Sequence, residues 1–346
     1  MFTPPRCPYV ACAMHAAPVG RFYIRRGYYR PLCRSHAVPR FRCKTCGRTF
    51  SRQTFRMDYR DHKPEVNHFA FALLCSGLGL RQTARLVQMT PRNLELKFRK
   101  IGRHCRRLNR NLRQQLPERS KLVFDELETY EGRRNTRPLT IPILIERTSR
   151  LMIAQRAAPI RPSGTMTPQR QAAYESDQRR FGRRQSRSAA AVRSVLKVGG
   201  KVSRGLGRVF LDSDEKTTYP KLAAHVFGAR LEHSTTSSLV VRDTWNPLFP
   251  INHTEAMARD LVGRLRRESW LVSKRRWFLN LQLEMYAAYR NFARPRFNRD
   301  KKTPAELVGW LKRRLRIGEI LSWRQDFGQL SGHPMSRGAA PITKAA

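Results

Sequence analysis

Lys121-Leu-Val-Phe-Asp125-Glu126-Leu-Glu128-Thr-Tyr-Glu131 decides how the chain is read. It alternates like a strand and ends in acids. Val123 and Asp125 fall on one face, Phe124 and Glu126 on the other. Residues 138–147 and 151–159 read as the next two strands. Three strands in succession predict an antiparallel meander opening a mixed sheet. Further on, Gly207-Arg-Val-Phe-Leu-Asp212-Ser-Asp214-Glu215-Lys216 repeats the pattern of a strand ending in acids, and Tyr219–Phe227 follows as a helix. A meander, then a strand–helix unit, then long helical patterns is the order of an RNase H-like domain. The fold class expected is therefore α+β or α/β multidomain. Two Asp on adjacent strand ends, one from each acidic strand, can hold a pair of Mg²⁺ or Mn²⁺ ions. Such a pair of ions activates an oxygen nucleophile and stabilises the leaving oxygen of an in-line displacement at phosphorus. The competing reading is a set of surface acids offsetting Lys and Arg.

That competition matters because the chain is so basic. It has 69 Lys plus Arg against 25 Asp plus Glu, a formal net charge of +44. Such an excess repels itself unless a polyanion offsets it, and nucleic acid is that polyanion, since each neutralised phosphate releases counterions. A membrane partner is not expected, because no apolar run is long enough to span a bilayer. Residues 1–12 lack a continuous apolar core, so no secretory signal is expected. Seven Cys without such a signal point to a reducing cytoplasm and metal ligation.

Five of those Cys lie in residues 1–60. Cys7-Pro-Tyr-Val-Ala-Cys12 and Cys43-Lys-Thr-Cys46-Gly form two knuckles that can give four thiolates to a structural zinc. Aromatic and basic segments at 22–29 and 39–41 read as ribbon strands. Cys33-Arg-Ser-His36 is an alternative donor pair, so the ligand set stays open here. Cys75 and Cys105 lie in helical patterns and read as core thiols.

From residue 64 the pattern is helical. Phe69, Ala72, Leu73 and Leu74 suggest one apolar face. Leu80, Ala84 and Val87 suggest a second, short helix. Thr90 can cap a third helix, with Pro91 at its first position. Leu94, Phe98 and Ile101 give that helix a buried stripe, leaving Arg92, Asn93, Lys97, Arg99 and Lys100 outward, with Arg81 on the helix before it. This is the layout of a helix-turn-helix with a major-groove recognition helix. An ordinary three-helix bundle with a basic face has the same pattern.

The organisation expected is a zinc ribbon at 1–60, the helix-turn-helix at 61–118, the sheet domain at 119–292 and a basic tail at 293–346. A stretch at about 161–188, rich in Arg, Gln and Ser, reads as a disordered or mobile loop. Leu271, Trp277, Leu281, Met285 and Tyr289 read as core.

The ordered set of these parts resembles bacterial insertion-sequence transposases with a zinc ribbon, a helix-turn-helix and a DDE catalytic domain. The phrases that carry the resemblance are Cys43-Lys-Thr-Cys46-Gly-Arg-Thr-Phe-Ser51, Gly79-Leu-Arg-Gln-Thr-Ala-Arg-Leu-Val87, Phe124-Asp125-Glu126-Leu and Ser213-Asp214-Glu215-Lys216 with Tyr219-Pro220. A fifth is Arg259-Asp-Leu-Val-Gly-Arg264-Leu-Arg-Arg267-Glu-Ser-Trp-Leu-Val-Ser273-Lys274. Together they span residues 7–292. The resemblance implies that Asp125 and Asp214, the latter preferred to Asp212, are the first two catalytic acids. It also implies that double-stranded DNA (terminal repeats and target) is the partner, that the protein acts as a homo-oligomer, and that it works at the bacterial nucleoid. Where the family has a Glu opening the next long helix, this chain has Asn252, with Glu255 nearly one turn on and Asp260 two turns on. His253 beside them reads either as a proton carrier or as structural. Arg259, Arg264, Arg267 and Lys274 read as clamps on DNA phosphates. The function expected is a DNA transposase. The alternative is a transposase-derived DNA-binding regulator without catalysis, which the Asn at 252 keeps open. An RNA-binding protein is the third reading, disfavoured by the helix-turn-helix.

Overall fold

A computed structural model describes residues 2–31, 36–237, 239–241, 243–267 and 269–324. The chain is mixed α+β. Helix α1 (Ala13–Ala16) precedes a small antiparallel sheet of β1 (Tyr23–Tyr29), β2 (Val38–Cys43) and β3 (Thr49–Ser51), in that order. Phe22, Phe41, Phe50 and Phe55 pack between its strands and the cysteines. Three helices follow: α2 (Val66–Leu74), α3 (Leu80–Leu86) and α4 (Pro91–Leu112). The buried positions of α2 are Asn67, Ala70, Phe71 and Leu74. Phe69, expected inward, is exposed, because α3 and α4 cover the stripe offset from it.

The larger sheet begins with β4 (Leu122–Tyr130), β5 (Pro138–Glu146), β6 (Met152–Gln155) and β7 (Ala158–Pro159). Helices α5 (Pro168–Phe181) and α6 (Ser188–Val202) come next, then β8 (Val209–Asp214), α7 (Tyr219–Phe227) and β9 (Leu231–Thr236). Helices α8 (Phe249–Leu261), α9 (Arg276–Phe292), α10 (Pro304–Leu307) and α11 (Ile317–Ser322) complete the chain. The strand order is β6-β5-β4-β8-β9, with β7 also on β5. The meander β4–β5–β6 is antiparallel, as expected, whereas β4, β8 and β9 run parallel.

Alternation assigns the two faces of this sheet. Phe124, Leu144 and Leu211 point to the side of α6 and α7, where Val195, Leu196 and Phe227 meet them. Val123, Leu127, Ile143 and Ile145 point to the side of α8 and α9, against Ile251, Ala258, Leu283 and Tyr286. Helix α9 also packs along α4. A Cβ on Gly102 would stand 2.7 Å from that of Leu281, so the helix approach requires glycine there.

Two stretches differ from expectation. The 161–188 segment carries α5. Thr167 caps it, Pro168 starts it, and Asp177, its one buried residue, accepts a hydrogen bond from the Thr136 hydroxyl and pairs with Arg133 at 3.4 Å. Held by polar contacts, this helix left no apolar stripe to read. The tail also belongs to the main core through residue 324. Trp310, Leu311, Leu315, Ile320 and Trp323 are buried with α2, α4 and α9; residues 325–346 lie outside those described. No described helix is long and apolar enough to cross a membrane.

His104 on α4 ties this tail down. Its Nε2 donates to the Ile320 carbonyl at 2.7 Å, and its ring lies against Trp323. Burial pushes its pKa down to about 4. Below the ordinary value of about 6.5 an unfolded chain takes up a proton that folded His104 refuses until near pH 4. Stability is therefore expected to fall as pH drops through that window, by about 2–3 kcal/mol. Urea titrations at about pH 7 and about pH 4.5 should show this loss, and His104→Gln should be less stable at the higher pH and lack that part of the slope.

Candidate metal centre and acidic face

The N-terminal cysteines converge. In the first knuckle the Cys7 amide donates to Met14 O at 2.9 Å and the Cys12 amide to Tyr9 O at 3.0 Å. In the second, Gly47 takes φ +70° so that its amide reaches Cys43 O at 3.0 Å. The sulfurs of Cys7, Cys12, Cys43 and Cys46 all lie within 4.8 Å of one another. Cys7 and Cys46 are 3.7 Å apart, Cys12 and Cys43 3.8 Å. A tetrahedron with metal–sulfur bonds of about 2.3 Å has edges of about 3.8 Å, so the cluster fits zinc. Burial raises the Cys43 thiol, but the Cys46 and Thr45 amides outweigh it and bring it to about 7, as suits a thiolate ligand. Burial pushes the Cys7 thiol up. His36 is exposed and stands outside the cluster; Cys33 lies outside the described residues. Cys75 and Cys105 are buried core thiols, as read.

On α4, Thr90 accepts from the Asn93 amide at 3.2 Å and Pro91 starts the helix. Arg92 and Asn93 are exposed at its first turn, and Arg81 is exposed on α3. Lys97 is not outward. It is buried, with Nζ 2.7 Å from Lys63 O, 3.0 Å from Asn67 Oδ1 and 3.3 Å from Asp61 Oδ2. The segment before α2 folds over this face, and Asp61 also takes Lys100 at 2.6 Å. Periodicity within α4 could not reveal a cover supplied from outside it.

The acids of the larger sheet meet through one parallel ladder. Leu122 pairs with Leu211 and Val123 with Asp212. The ladder ends there, and alternation puts Asp125 and Asp214, each two residues further on, on the same face of the sheet. Both belong to the face that α8 covers. Asp125 Oδ1 accepts from the Glu126 amide at 2.7 Å, and Asp214 Oδ1 from the Lys216 amide at 3.2 Å. Asp212, on the same face, is paired with Arg147 at 3.0 Å. From α8, Asn252, Glu255 and Arg259 fall on one helical stripe. Glu255 is buried and Asn252 half-buried. Arg259 donates to Glu128 O at 3.4 Å. Burial and Arg267 lower its pKa, while the carboxylates of Glu255 and Asp125 oppose them. Asp125, Asp214 and Glu255 thus belong to one side of the sheet; among the described residues only the four cysteines lie close enough together to hold a metal ion as they stand.

The opposite face of the same strand holds a contact that sequence reasoning missed. Glu126 accepts from Lys216 Nζ at 2.6 Å, Tyr219 Oη at 2.8 Å and Ser188 Oγ at 2.9 Å. Burial raises its pKa, but Lys216, Thr140 and Tyr219 outweigh it and hold the carboxyl below the usual range. Burial and the nearby Glu126, Asp214 and Asp125 push the Tyr219 hydroxyl up. The signal was present as two matching phrases, Asp125-Glu126 and Asp214-Glu215-Lys216 with Tyr219.

Two further residues, Arg264 and His253, are placed differently from expectation or settle an open choice. Arg264 is half-buried over the rings of Phe98 and Phe278, at 5.6 and 5.7 Å, and burial lowers its pKa to about 10. It is a packing residue rather than an open clamp. Arg267 and Lys274 are exposed, Arg267 beside Arg259. His253 packs against Phe249 and Phe297, and burial with Arg150 and Arg290 lowers its pKa. It turns away from the stripe of Glu255.

No protein-family model matches the chain, and no curated protein does.

The cysteine geometry predicts one bound zinc per chain, measurable by native mass spectrometry. Cys43→Ser is expected to lose the ion and to open residues 2–55 to protease first, since a structural zinc contributes on the order of 10 kcal/mol to such a unit. Cys75→Ser should keep it.

Proposed function

We propose that the chain is a DNA transposase of the insertion-sequence type. The observation that carries this reading is that Asp125 and Asp214 follow the β4–β8 ladder on one face of a mixed sheet, the face that α8 covers with Glu255 and Arg259. Strand order supports it too, since a meander followed by parallel strand–helix units is the RNase H-like arrangement. The ribbon and the α3–α4 pair bind the element's ends, with Arg81, Arg92 and Asn93 turned to the DNA. Arg and Asn suit guanine and adenine edges respectively.

Asp125, Asp214 and Glu255 would hold Mg²⁺ or Mn²⁺, with Asn252 offering a neutral oxygen one turn before Glu255. Bound there, the ions supply the Lewis acidity for phosphodiester cleavage and strand transfer. Glu255 replaces the missing acid at 252 because one turn of helix keeps it on the same stripe. Arg259 offsets the carboxylates' repulsion and, with Arg267 and Lys274, holds the phosphates of the DNA end. Glu126 positions the site. Its bonds to Lys216 and Tyr219 lock the end of β8 against β4, and with it the spacing of the two Asp.

The test is strand cleavage and joining on a plasmid bearing the DNA that flanks the gene, with Mg²⁺ or Mn²⁺. Asp125→Ala, Asp214→Ala and Glu255→Gln are each expected to lower the rate about 10²- to 10³-fold, as loss of several kcal/mol of transition-state stabilisation requires. Asn252→Ala is expected to cost about tenfold or less. Specific binding of the ends without cleavage in either metal overturns the enzyme and leaves a transposase-derived DNA-binding regulator.

A further inference from the structure

Away from the acids, α4 carries a second basic feature. Arg99, Arg103, Arg106, Arg110 and Arg113 recur at intervals of four and three, which is one stripe of a helix. At 1.5 Å per residue the stripe runs about 21 Å. Its last three members open into a cavity of about 400 Å³ between α4, α6, α9 and β6. Arg156 faces them from the end of β6. The cavity lies at the β6 edge of the sheet, two strands from Asp125.

The lining is built for an anion. Arg110 and Arg156 are exposed at the mouth, while Arg106 and Arg113 stand deeper. Arg113 donates to Ile153 O at 3.1 Å, which fixes its guanidinium in the wall. One carboxylate, Glu284, belongs to the lining. It is taken up by Arg106 at 3.4 Å and by the Asn109 amide at 2.8 Å. Trp277 also lines the cavity. Sequence reasoning put this residue in the core, yet it is 39% exposed, with the guanidinium carbons of Arg99 and Arg103 each 5.5 Å from its ring. An aromatic face between phosphate-binding side chains is the composition of single-strand nucleic-acid grooves.

We propose that this groove binds single-stranded DNA, with phosphates on Arg110, Arg113 and Arg156 and one base stacked on Trp277. The shape favours a single strand over a duplex. A duplex keeps its bases inside a wide rod, so it can reach the mouth but cannot seat a base or bring a phosphate to Arg113. The choice of DNA as the strand rests on the proposed function; the groove itself does not depend on the acids.

The experiment is fluorescence anisotropy of the full chain with a short labelled single strand and with a duplex of the element's end, across a salt series and without divalent metal. Arg110→Gln with Arg156→Gln, both exposed and so harmless to folding, is expected to weaken single-strand binding about tenfold. It should also lower the salt slope by about 1.4, two phosphates at about 0.7 each. Trp277→Leu is expected to weaken it about five- to hundredfold, the range of one stacked base. Duplex binding should change less than about twofold in both. Lys221→Gln with Lys301→Gln removes the same charge elsewhere and should leave the single-strand slope unchanged. An unchanged slope in the arginine variant, or equal losses on strand and duplex, overturns the proposal. Because no cleavage is read, a protein that fails to cut but shows these losses sinks the transposase and keeps the groove.

Discussion

The short parallel ladder between β4 and β8 is the constraint on which the rest depends. It joins the meander to the strand–helix half of the sheet through Leu122–Leu211 and Val123–Asp212. A slip of one residue would turn every side chain of β8 to the other face. Asp214 would then leave Asp125 and point toward α7. Lys216 and Tyr219 would lose Glu126. The register is fixed because Val209 and Leu211 must stay in the core under α6 and α7. Apolar burial on one face thus sets the acid geometry on the other.

So basic a chain also uses its few acids sparingly. Asp61, Glu126, Glu131 and Asp177 are each held by several donors. Glu131 takes Arg137 at 3.1 Å and Arg184 at 3.7 Å, and accepts from the Arg276 amide at 2.5 Å. These contacts tie the cover of α4, the end of β8, the β4–β5 hairpin and α5 into the body of the protein. Each neutralises positive charge where burial would make it costly. Others face outward, among them Arg103 and Arg110 on the stripe of α4 and Arg267 and Lys274 near α8, where a polyanion can offset them.

Helix α4 links these regions. Its first turn presents Arg92 and Asn93. Its middle packs on α9 at Gly102, where the close approach leaves no room for a Cβ. His104 and the buried apolar residues beyond it hold the tail. A strand bound at the start of this helix and one bound at its end would therefore be held by one rigid element, in fixed relation to the sheet.

The sequence by itself determined the local elements and the two cysteine knuckles. Alternation marked β4 and β8, Thr90-Pro91 marked the start of α4, and paired spacing marked the two cysteine knuckles, because each of these rests on contacts between near neighbours in the chain; that the knuckles converge on one four-sulfur cluster and leave His36 outside was decided by the fold. Pairing across distance was decided only by the tertiary structure. Lys97 read as outward until Asp61 and Asn67 folded over it, Arg264 read as open until Phe98 and Phe278 took its guanidinium, and α5 had no apolar stripe to announce it. The tail looked like charge alone because its Trp310, Leu315 and Trp323 meet their partners only where α4 and α9 bring a groove to them. Likewise Glu255 came to the sheet face that bears Asp125 through the placement of α8, a packing of distant apolar faces that no local pattern specifies.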